Sequence, residues 1–366
     1  MKKGKIIKII ICVLLVVLIA GGAIAYSQLP HPLNYKIKDI EPLNHDTVTI
    51  TADDTDSVTL QKNDGGPFRI LLLTDMHLDG KNKTSNVTIG NMIAAIQKEN
   101  PDLVLLGGDN VTSAFNTKRS HQLAEIFEKL GVYWGGILGN HEGDNPYSIT
   151  REKMVDIFSS YDRCIMRKGV ADIDGNCNYA INLLDKDGNH LETIFCLDTF
   201  DELNDEQIKF YNYTGDRTPY DGAHENQVEW FKNKAAALKK DYGDEYKSIM
   251  LMHIPLPEMG DAAEEGNFYI GDKQEGVCST VFNIGLFDAM KEAGVSAAYF
   301  GHDHKNNFGV EVDGIKLCYL ETSGYGSYGF NRDGLPESEW LQGYSILEIL
   351  PDTDSFTQYR YYDALK

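Results

Sequence analysis

Five short apolar segments of this sequence are each followed at once by residues that can bind a metal ion. The residues that follow them are Asp75, His77, Asp109, Asn140, His141, His253, His302 and His304. Polar residues at the carboxyl ends of strands line the ligand-binding crevice of an open α/β sheet, so we expect these side chains to converge. Five of the ten histidines fall in this series, which favours a shared site over a set of unrelated structural histidines.

The residue types indicate a ligand set of oxygen and nitrogen atoms without cysteine. Such a set suits divalent ions such as Mn, Fe or Zn. A carboxylate such as Asp109 can bridge two ions about 3.5–4 Å apart, and a water shared between them becomes acidic enough to act as hydroxide near neutral pH. Hydroxide is a natural nucleophile for a phosphorus centre. The pattern therefore predicts a two-metal hydrolytic site.

Short apolar runs alternate with amphipathic stretches between these motifs, which is typical of a layered α/β fold. The predicted strands lie near 69–74, 103–106, 132–138, 248–252, 297–300, 316–320 and 344–349, with a hairpin at 178–184 and 191–198. The predicted helices lie near 86–98, 118–130, 150–158, 225–239 and 282–293.

The length of 366 residues and the single apolar N-terminal segment predict one large domain behind a targeting segment. We expect a signal-anchor or transmembrane segment at 1–26, and a stalk with one or two edge strands at 27–66. The main domain is expected at 67–350 and a C-terminal extension at 351–366.

The N-terminal segment predicts export. Four lysines at positions 2, 3, 5 and 8 precede an uncharged run from Ile9 to Tyr35, so the positive-inside rule leaves the N-terminus in the cytoplasm. An uncleaved membrane anchor is favoured because about 20 apolar residues span a bilayer. Ala23-Ile24-Ala25 also fits a signal-peptide cleavage site, in which case the protein is secreted after cleavage behind Ala25.

The charge balance argues against a nucleic-acid partner. The formal net charge is −21, and loss of residues 1–25 removes four lysines and no acid, which leaves −25. Such a surface repels polyanions. Five cysteines outside the apolar segment, with no Cys-x-x-Cys pair, indicate buried free thiols.

The order of the motifs carries a family resemblance. Asp75-x-His77, Gly107-Gly108-Asp109-Asn110, Gly139-Asn140-His141-Glu142, His253 and Gly301-His302-x-His304 follow one another along the chain. This series resembles the calcineurin-like metallophosphoesterase family over about residues 67–350. The resemblance implies a four-layer α/β/β/α sandwich of two mixed β-sheets flanked by helices, with a dinuclear metal centre at the strand ends.

The resemblance also implies a role for each motif residue. Asp75, His77 and His304 would hold the first divalent ion, Asn140, His253 and His302 the second, and Asp109 would bridge them. His141 would lie over the phosphate as a charge stabiliser or as the acid that protonates the leaving oxygen. Glu142 and Asp144 are candidates to orient its ring, and Lys305, Asn306, Asn307, Tyr325 and Tyr328 are candidates to line the entrance.

A narrower resemblance concerns a subgroup of the family. Residues 227–231, 253–258, 301–308 and 323–329 are similar to fungal and plant phosphatases related to the purple acid phosphatases. The purple enzymes carry a metal-ligand tyrosine three residues after the bridging Asp, whereas this chain has Thr112 there. We therefore expect no ferric tyrosinate and a colourless protein.

The predicted function is an extracytoplasmic, dinuclear-metal-dependent phosphomonoesterase that uses a metal-bridging hydroxide. The alternative is a phosphodiesterase or pyrophosphohydrolase acting on envelope or nucleotide substrates. A non-catalytic surface binding protein is less favoured, because all seven predicted ligands and His141 are present.

Overall fold

A computed structural model describes residues 3–28, 36–43, 47–79, 83–114, 116–243, 246–282 and 284–366. For residues 3–7, 9, 23–28, 83 and 332 it describes the backbone only. The first helix, α1 (Lys3–Gln28), coincides with the predicted targeting segment. None of the helices in the described ranges combines the length and the apolar character that crossing a membrane requires.

Thirteen strands follow in the described residues. They are β1 (Val48–Asp54), β2 (Ser57–Lys62), β3 (Phe68–Leu73), β4 (Leu103–Gly107), β5 (Tyr133–Ile137), β6 (Tyr179–Leu184), β7 (His190–Cys196), β8 (Ser248–Leu251), β9 (Val295–Phe300), β10 (Gly309–Val312), β11 (Ile315–Tyr319), β12 (Gly343–Ile349) and β13 (Asp354–Arg360). The helices after α1 are α2 (Lys83–Glu99), α3 (Thr117–Leu130), α4 (Arg151–Ser159), α5 (Asp205–Phe210), α6 (Glu225–Tyr242), α7 (Pro257–Glu265), α8 (Leu286–Ala293) and α9 (Tyr361–Ala364).

The strands form two mixed sheets, as predicted. The eight-stranded sheet has the order β1-β2-β6-β7-β8-β9-β11-β10, and the five-stranded sheet has the order β13-β12-β3-β4-β5. In the smaller sheet β3, β4 and β5 are parallel, and in the larger sheet β7, β8, β9 and β11 are parallel. The strands that precede the five motifs all belong to these parallel sets, so the motifs leave the sheets at carboxyl ends.

Alternating side chains place the eight-stranded sheet between two apolar clusters. In β8, Ile249 and Leu251 belong to a cluster that holds both sheets together with α2, α3 and α4. Met250 belongs to a second cluster, with side chains of α6, α7 and α8 such as Phe231 and Met290. This period of two is what a strand buried on both faces requires. Helices therefore cover the sheets, in agreement with the predicted layers.

The sheets reach beyond the predicted bounds of 67–350. β2 pairs in parallel with β6 and lies in the segment where one or two edge strands were expected. β13 pairs antiparallel with β12, so the C-terminal extension also contributes a strand. A buried ion pair joins β2 to the smaller sheet: Lys62 Nζ lies 2.7 and 2.6 Å from the carboxylate oxygens of Asp102. Asp102 also accepts from the backbone N–H of Arg69 at 2.8 Å.

One predicted helix begins later than expected, and α5, α7 and α9 were not predicted. α8 begins at Leu286 instead of 282, because Gly285 has a φ of 84° and interrupts the helical backbone. α7 has Pro257 in its first turn, where the missing N–H costs no hydrogen bond.

Candidate metal centre

The motif residues turn away from their strands in unusual backbone conformations. Asp75, His77, Asp109 and His302 have φ values of 52°, 42°, 51° and 82°. Residues other than glycine seldom occupy this left-handed region, and those that do cluster at functional sites. These sharp turns direct the side chains toward one crevice instead of along the strands.

Glycines beside the motifs allow a close approach. A Cβ at Gly139 would lie 2.3 Å from Asp109 Oδ1 and 2.7 Å from His253 Nε2. A Cβ at Gly301 would lie 2.7 Å from Asp75 Oδ2. A real Cβ atom essentially never lies within 3.0 Å of a side-chain atom of another residue, so these positions require glycine for the side chains to meet.

The first group of side chains comprises Asp75, His77 and His304. The Nε2 atoms of the two histidines are 3.0 Å apart, and His304 Nε2 is 3.4 Å from Asp75 Oδ1. One ligand atom from each of the three residues lies within 4.8 Å of the others, and all three are buried. This group can enclose one cation.

The second group lies on the other side of Asp109. His253 Nε2 is 3.3 Å from Asp109 Oδ2 and 3.1 Å from Asn140 Oδ1. Asn140 Oδ1 is also 2.9 Å from His302 Nδ1. Two imidazoles, one amide oxygen and the shared carboxylate can enclose a second cation.

Asp109 tests whether two ions fit. Its Oδ1 accepts from the His141 backbone N–H at 2.8 Å. Its Oδ2 is buried without a hydrogen-bond partner in the described residues, although His77 Nε2 and His253 Nε2 lie 3.4 and 3.3 Å away. A buried carboxylate oxygen without a partner is costly, and a cation on either side would satisfy it. The residues therefore fit a centre in which two ions share Asp109.

Backbone carbonyls set the orientation of two imidazoles. His253 Nδ1 donates to the Gly107 carbonyl at 2.8 Å, and His304 Nδ1 donates to the Tyr328 carbonyl at 3.1 Å. A carbonyl can only accept, so Nδ1 carries the proton and Nε2 keeps its lone pair for a metal.

The electrostatics divide the four histidine ligands into two pairs. Burial acts to lower the pKa of His253, but the charge of Asp109 outweighs it and raises it to about 10. The hydrogen bond with Asp75 likewise outweighs burial and raises the pKa of His304. Burial lowers the pKa of both His77 and His302 to about 3, which keeps these rings neutral. Burial acts to raise the pKa of Asp75, but His304 and His253 outweigh it and lower it to about 2. The pKa of Asp109 lies well below its ordinary value, because His253 and His77 outweigh its burial. A metal ion binds the unprotonated form of each ligand, so ion binding would release protons from His253 and His304.

His141 lies at the edge of the site. Its side chain is 44% exposed, and its ring centroid is 5.4 Å from that of His77. Burial acts to lower the pKa of His141, but the hydrogen bond with Asp144 and the charge of Asp109 outweigh it and raise it to about 9. Asp144 Oδ2 contacts His141 Nδ1 directly, so Asp144 orients this ring.

The sequence match to a known family covers all five motifs: residues 68–306 match the model of the calcineurin-like phosphoesterases. The chain belongs to this family. The predicted resemblance is thus confirmed, and membership makes the chain a metal-dependent phosphoric ester hydrolase.

Curated relatives of this phosphoesterase come from plants and yeast. It is 27% identical over 354 residues to "Probable inactive purple acid phosphatase 14" of Arabidopsis thaliana. This alignment covers 87% of this chain and 84% of the relative. It is 25% identical over 333 residues to "Phosphatase DCR2" of Saccharomyces cerevisiae, which covers 80% of this chain and 52% of the relative. These names agree with the predicted subgroup.

One similar solved structure is a dimetal phosphatase from Danio rerio. It has 13% identity and a TM-score of 0.48, and the match covers 80% of this chain and 99% of that chain. The fold assignment rests on the strand order and the family match.

Glu142 was one of two residues predicted to orient the His141 ring, and this prediction is wrong for Glu142. Its buried carboxylate accepts the backbone N–H groups of Asp109, Val111 and Gly139 at 3.1, 3.2 and 2.7 Å, and that of Asn110. Glu142 therefore holds the Asp109 loop against the Asn140 loop. The only signal for this role in the sequence was an acid directly after a ligand motif.

The predicted entrance residues separate into different environments. Tyr328 is 41% exposed, and its ring stacks on His304 with centroids 4.2 Å apart. Tyr325 is buried, and its hydroxyl accepts from Asn91 Nδ2 at 3.1 Å, so it does not line the entrance. Sequence reasoning missed Tyr220, whose ring packs edge-on against His302 at 4.4 Å.

Proposed function

We propose that this chain is a two-metal phosphomonoesterase. The observation that carries the proposal is the buried, unpartnered Oδ2 of Asp109, which lies 3.4 Å from His77 Nε2 in one ligand group and 3.3 Å from His253 Nε2 in the other. One group, Asp75, His77 and His304, would hold one divalent ion, which is Mn, Fe or Zn. The other, Asn140, His253 and His302, would hold the second. Such ions, when bound, would acidify a water and polarise the phosphoryl group.

His141 would act on the substrate and not on a metal. Its ring is partly exposed beside the first ligand group, and its raised pKa keeps it protonated near neutral pH. A protonated imidazole in that place can stabilise charge on the phosphate or donate a proton to the leaving oxygen. Asp144 would be a positioning residue that holds the His141 ring through Nδ1.

The choice of monoesters rests on the relatives. The Arabidopsis and Saccharomyces cerevisiae relatives are named as phosphatases, and three Arabidopsis relatives carry the word inactive in their names. In this chain the seven predicted ligands and His141 are assembled around one crevice, which favours activity. The second candidate, a phosphodiesterase or pyrophosphohydrolase, uses the same ligands and differs only in the substrate.

A comparison of two substrates tests the proposal. The full chain, dialysed and reloaded with Mn²⁺, Fe²⁺ or Zn²⁺, would be assayed with para-nitrophenyl phosphate and with bis(para-nitrophenyl) phosphate. We expect a higher kcat/KM for the monoester, and greater diester turnover would favour the second candidate. Asp109→Asn and His141→Ala should abolish most of the hydrolysis, whereas Asp187→Asn, in an exposed turn, should not. Full activity of the first two variants would overturn the mechanism.

We further propose that the catalytic domain lies outside the cytoplasm. The four N-terminal lysines followed by a long uncharged run support export. Protease added to intact cells should digest the domain, and the mass of the purified protein should show whether residues 1–25 are retained as an anchor or removed. A domain that only detergent makes accessible to protease would contradict export.

A further inference from the structure

A cleft separate from the metal ligands lies beside the C-terminal strand pair. Its volume is about 530 Å³, within the range of sites for small organic molecules. The residues that line it include Lys98, Asp272, Asn307, Glu321, Gln358 and Arg360. None of these residues belongs to either predicted ligand group.

Glu321 at the floor of this cleft lacks a partner for one oxygen. The residue is only 2% exposed, and its Oε1 accepts from Asn307 Nδ2 at 3.0 Å. Its Oε2 is buried and meets no hydrogen-bond donor in the described part of the chain. Buried polar atoms are almost always paired, and a donor from outside the chain, a water or a ligand, would satisfy this oxygen.

The charges around the cleft indicate that the donor is a cation. Neither Glu321 nor Asp272 forms an ion pair within the described ranges. The guanidinium of Arg360 contacts the Asp363 carboxylate and the Ser338 carbonyl, and Lys98 Nζ contacts the Ala364 carbonyl. The lining residues thus carry two basic groups, Lys98 and Arg360, against the three carboxylates of Asp272, Glu321 and Asp363, so the formal charge of the ionised cleft is −1.

A bare metal ion does not fit these observations. Among the described residues, no cluster of three metal-ligating side chains includes Glu321. A single buried carboxylate in a space of about 530 Å³ suits a larger ligand that carries an N–H donor. We propose that this cleft binds a small organic ammonium compound, whose ammonium group donates a hydrogen bond to Glu321 Oε2.

Asn307 connects this cleft to the loop that carries His302 and His304. It follows His304 by three residues, its Oδ1 accepts from the Asp272 backbone N–H at 2.8 Å, and its carbonyl accepts from Gln358 Nε2 at 2.8 Å. The side chains of the ammonium site differ from those of the metal centre. Ligand binding to the cleft can therefore be measured whether or not the protein hydrolyses phosphate esters.

Calorimetric titration of the full chain tests the proposal, with 1,4-diaminobutane as the probe and butane-1,4-diol as its uncharged counterpart. Burial raises the pKa of Glu321 to about 7, so the titration is run at pH 8, where the carboxylate is ionised. We expect saturable binding of one diamine per chain and none of the diol. Equal binding of both compounds, or no saturation, would overturn the proposal.

Glu321→Gln is the matched variant. The amide keeps an oxygen for Asn307 Nδ2 but loses the charge, so the diamine should bind roughly tenfold more weakly or worse, as expected for loss of a charge-assisted hydrogen bond. Glu229→Gln makes the same change at an exposed position on α6 and should bind like the unaltered chain. Thermal unfolding would verify that Glu321→Gln is folded.

Asp272→Asn provides a second variant if Glu321→Gln does not fold. Asp272 is exposed at the cleft, and loss of its charge should also weaken diamine binding. If Glu321→Gln folds and binds the diamine with unaltered affinity, the site is refuted. If Glu321→Gln does not fold, unaltered affinity of Asp272→Asn refutes the site. An equal loss in Glu229→Gln would refute it too, because the effect would then be one of net charge.

Discussion

Among single residues, Asp109 and His141 should separate metal binding from catalysis. Asp109→Asn keeps an acceptor for the His141 N–H but removes the charge that both ligand groups share, so we expect loss of bound metal. His141→Ala should retain both ions and lose roughly 10²–10⁴-fold in kcat, the usual contribution of a general acid. Metal content by mass spectrometry and kcat would be measured on the same samples. Full metal content in Asp109→Asn would contradict a bridging role.

Glu142 and Asp144 should differ in their effect on stability although they are two residues apart. Glu142→Ala leaves four buried backbone N–H groups without their acceptor and should lower the free energy of unfolding by about 3 kcal/mol or more. Asp144 is 43% exposed, so Asp144→Ala should cost less than about 1 kcal/mol. Urea unfolding of the metal-free chain would measure both, and equal losses would contradict the assigned roles.

At the level of elements, His224 connects the start of α6 to two neighbouring loops. Its Nδ1 lies 2.8 Å from Asp174 Oδ2, and its Nε2 lies 3.3 Å from Asp221. The hydrogen bond with Asp221, opposed by burial and supported by Asp174, raises the pKa of His224 to about 8. A raised pKa means that this stabilisation is complete below about pH 6.5 and is lost as the pH rises through 8.

His224→Asn should therefore be less stable than the unaltered chain by an amount that depends on pH. We expect the difference in unfolding free energy to shrink by about 1–2 kcal/mol between pH 6.5 and 9. His224 also stacks on Phe200, and loss of that contact should be the same at every pH. Denaturant unfolding at several pH values would check this, and a constant difference would show that only the stacking matters.

For the molecule as a whole, the net charge of −21 should exclude polynucleotides. A surface with this charge repels the phosphate backbone, and any attraction would be confined to the metal centre. We expect no retention of single- or double-stranded DNA in a gel-shift assay at physiological salt. Binding at micromolar protein would show that a local basic surface overrides the net charge.

The sequence by itself predicted which segments form the strands that carry the motifs and which residues meet at the ends of those strands. This was possible because parallel strands end at a common edge, so that Asp75, Asp109 and His253 are brought together by topology. The apolar alternation that predicts the strands is a local property, whereas the division into two mixed sheets was expected only from the family resemblance.

Only the tertiary structure decided the contacts between distant segments. The pairing of β13 with β12, the four N–H groups bound by Glu142 and the unpartnered oxygen of Glu321 all depend on where separate loops meet. The sequence around Glu142 and Glu321 shows only an acidic residue. Whether a carboxylate binds backbone, a partner side chain or an external ligand depends on its burial and on the donors that folding brings within about 3 Å.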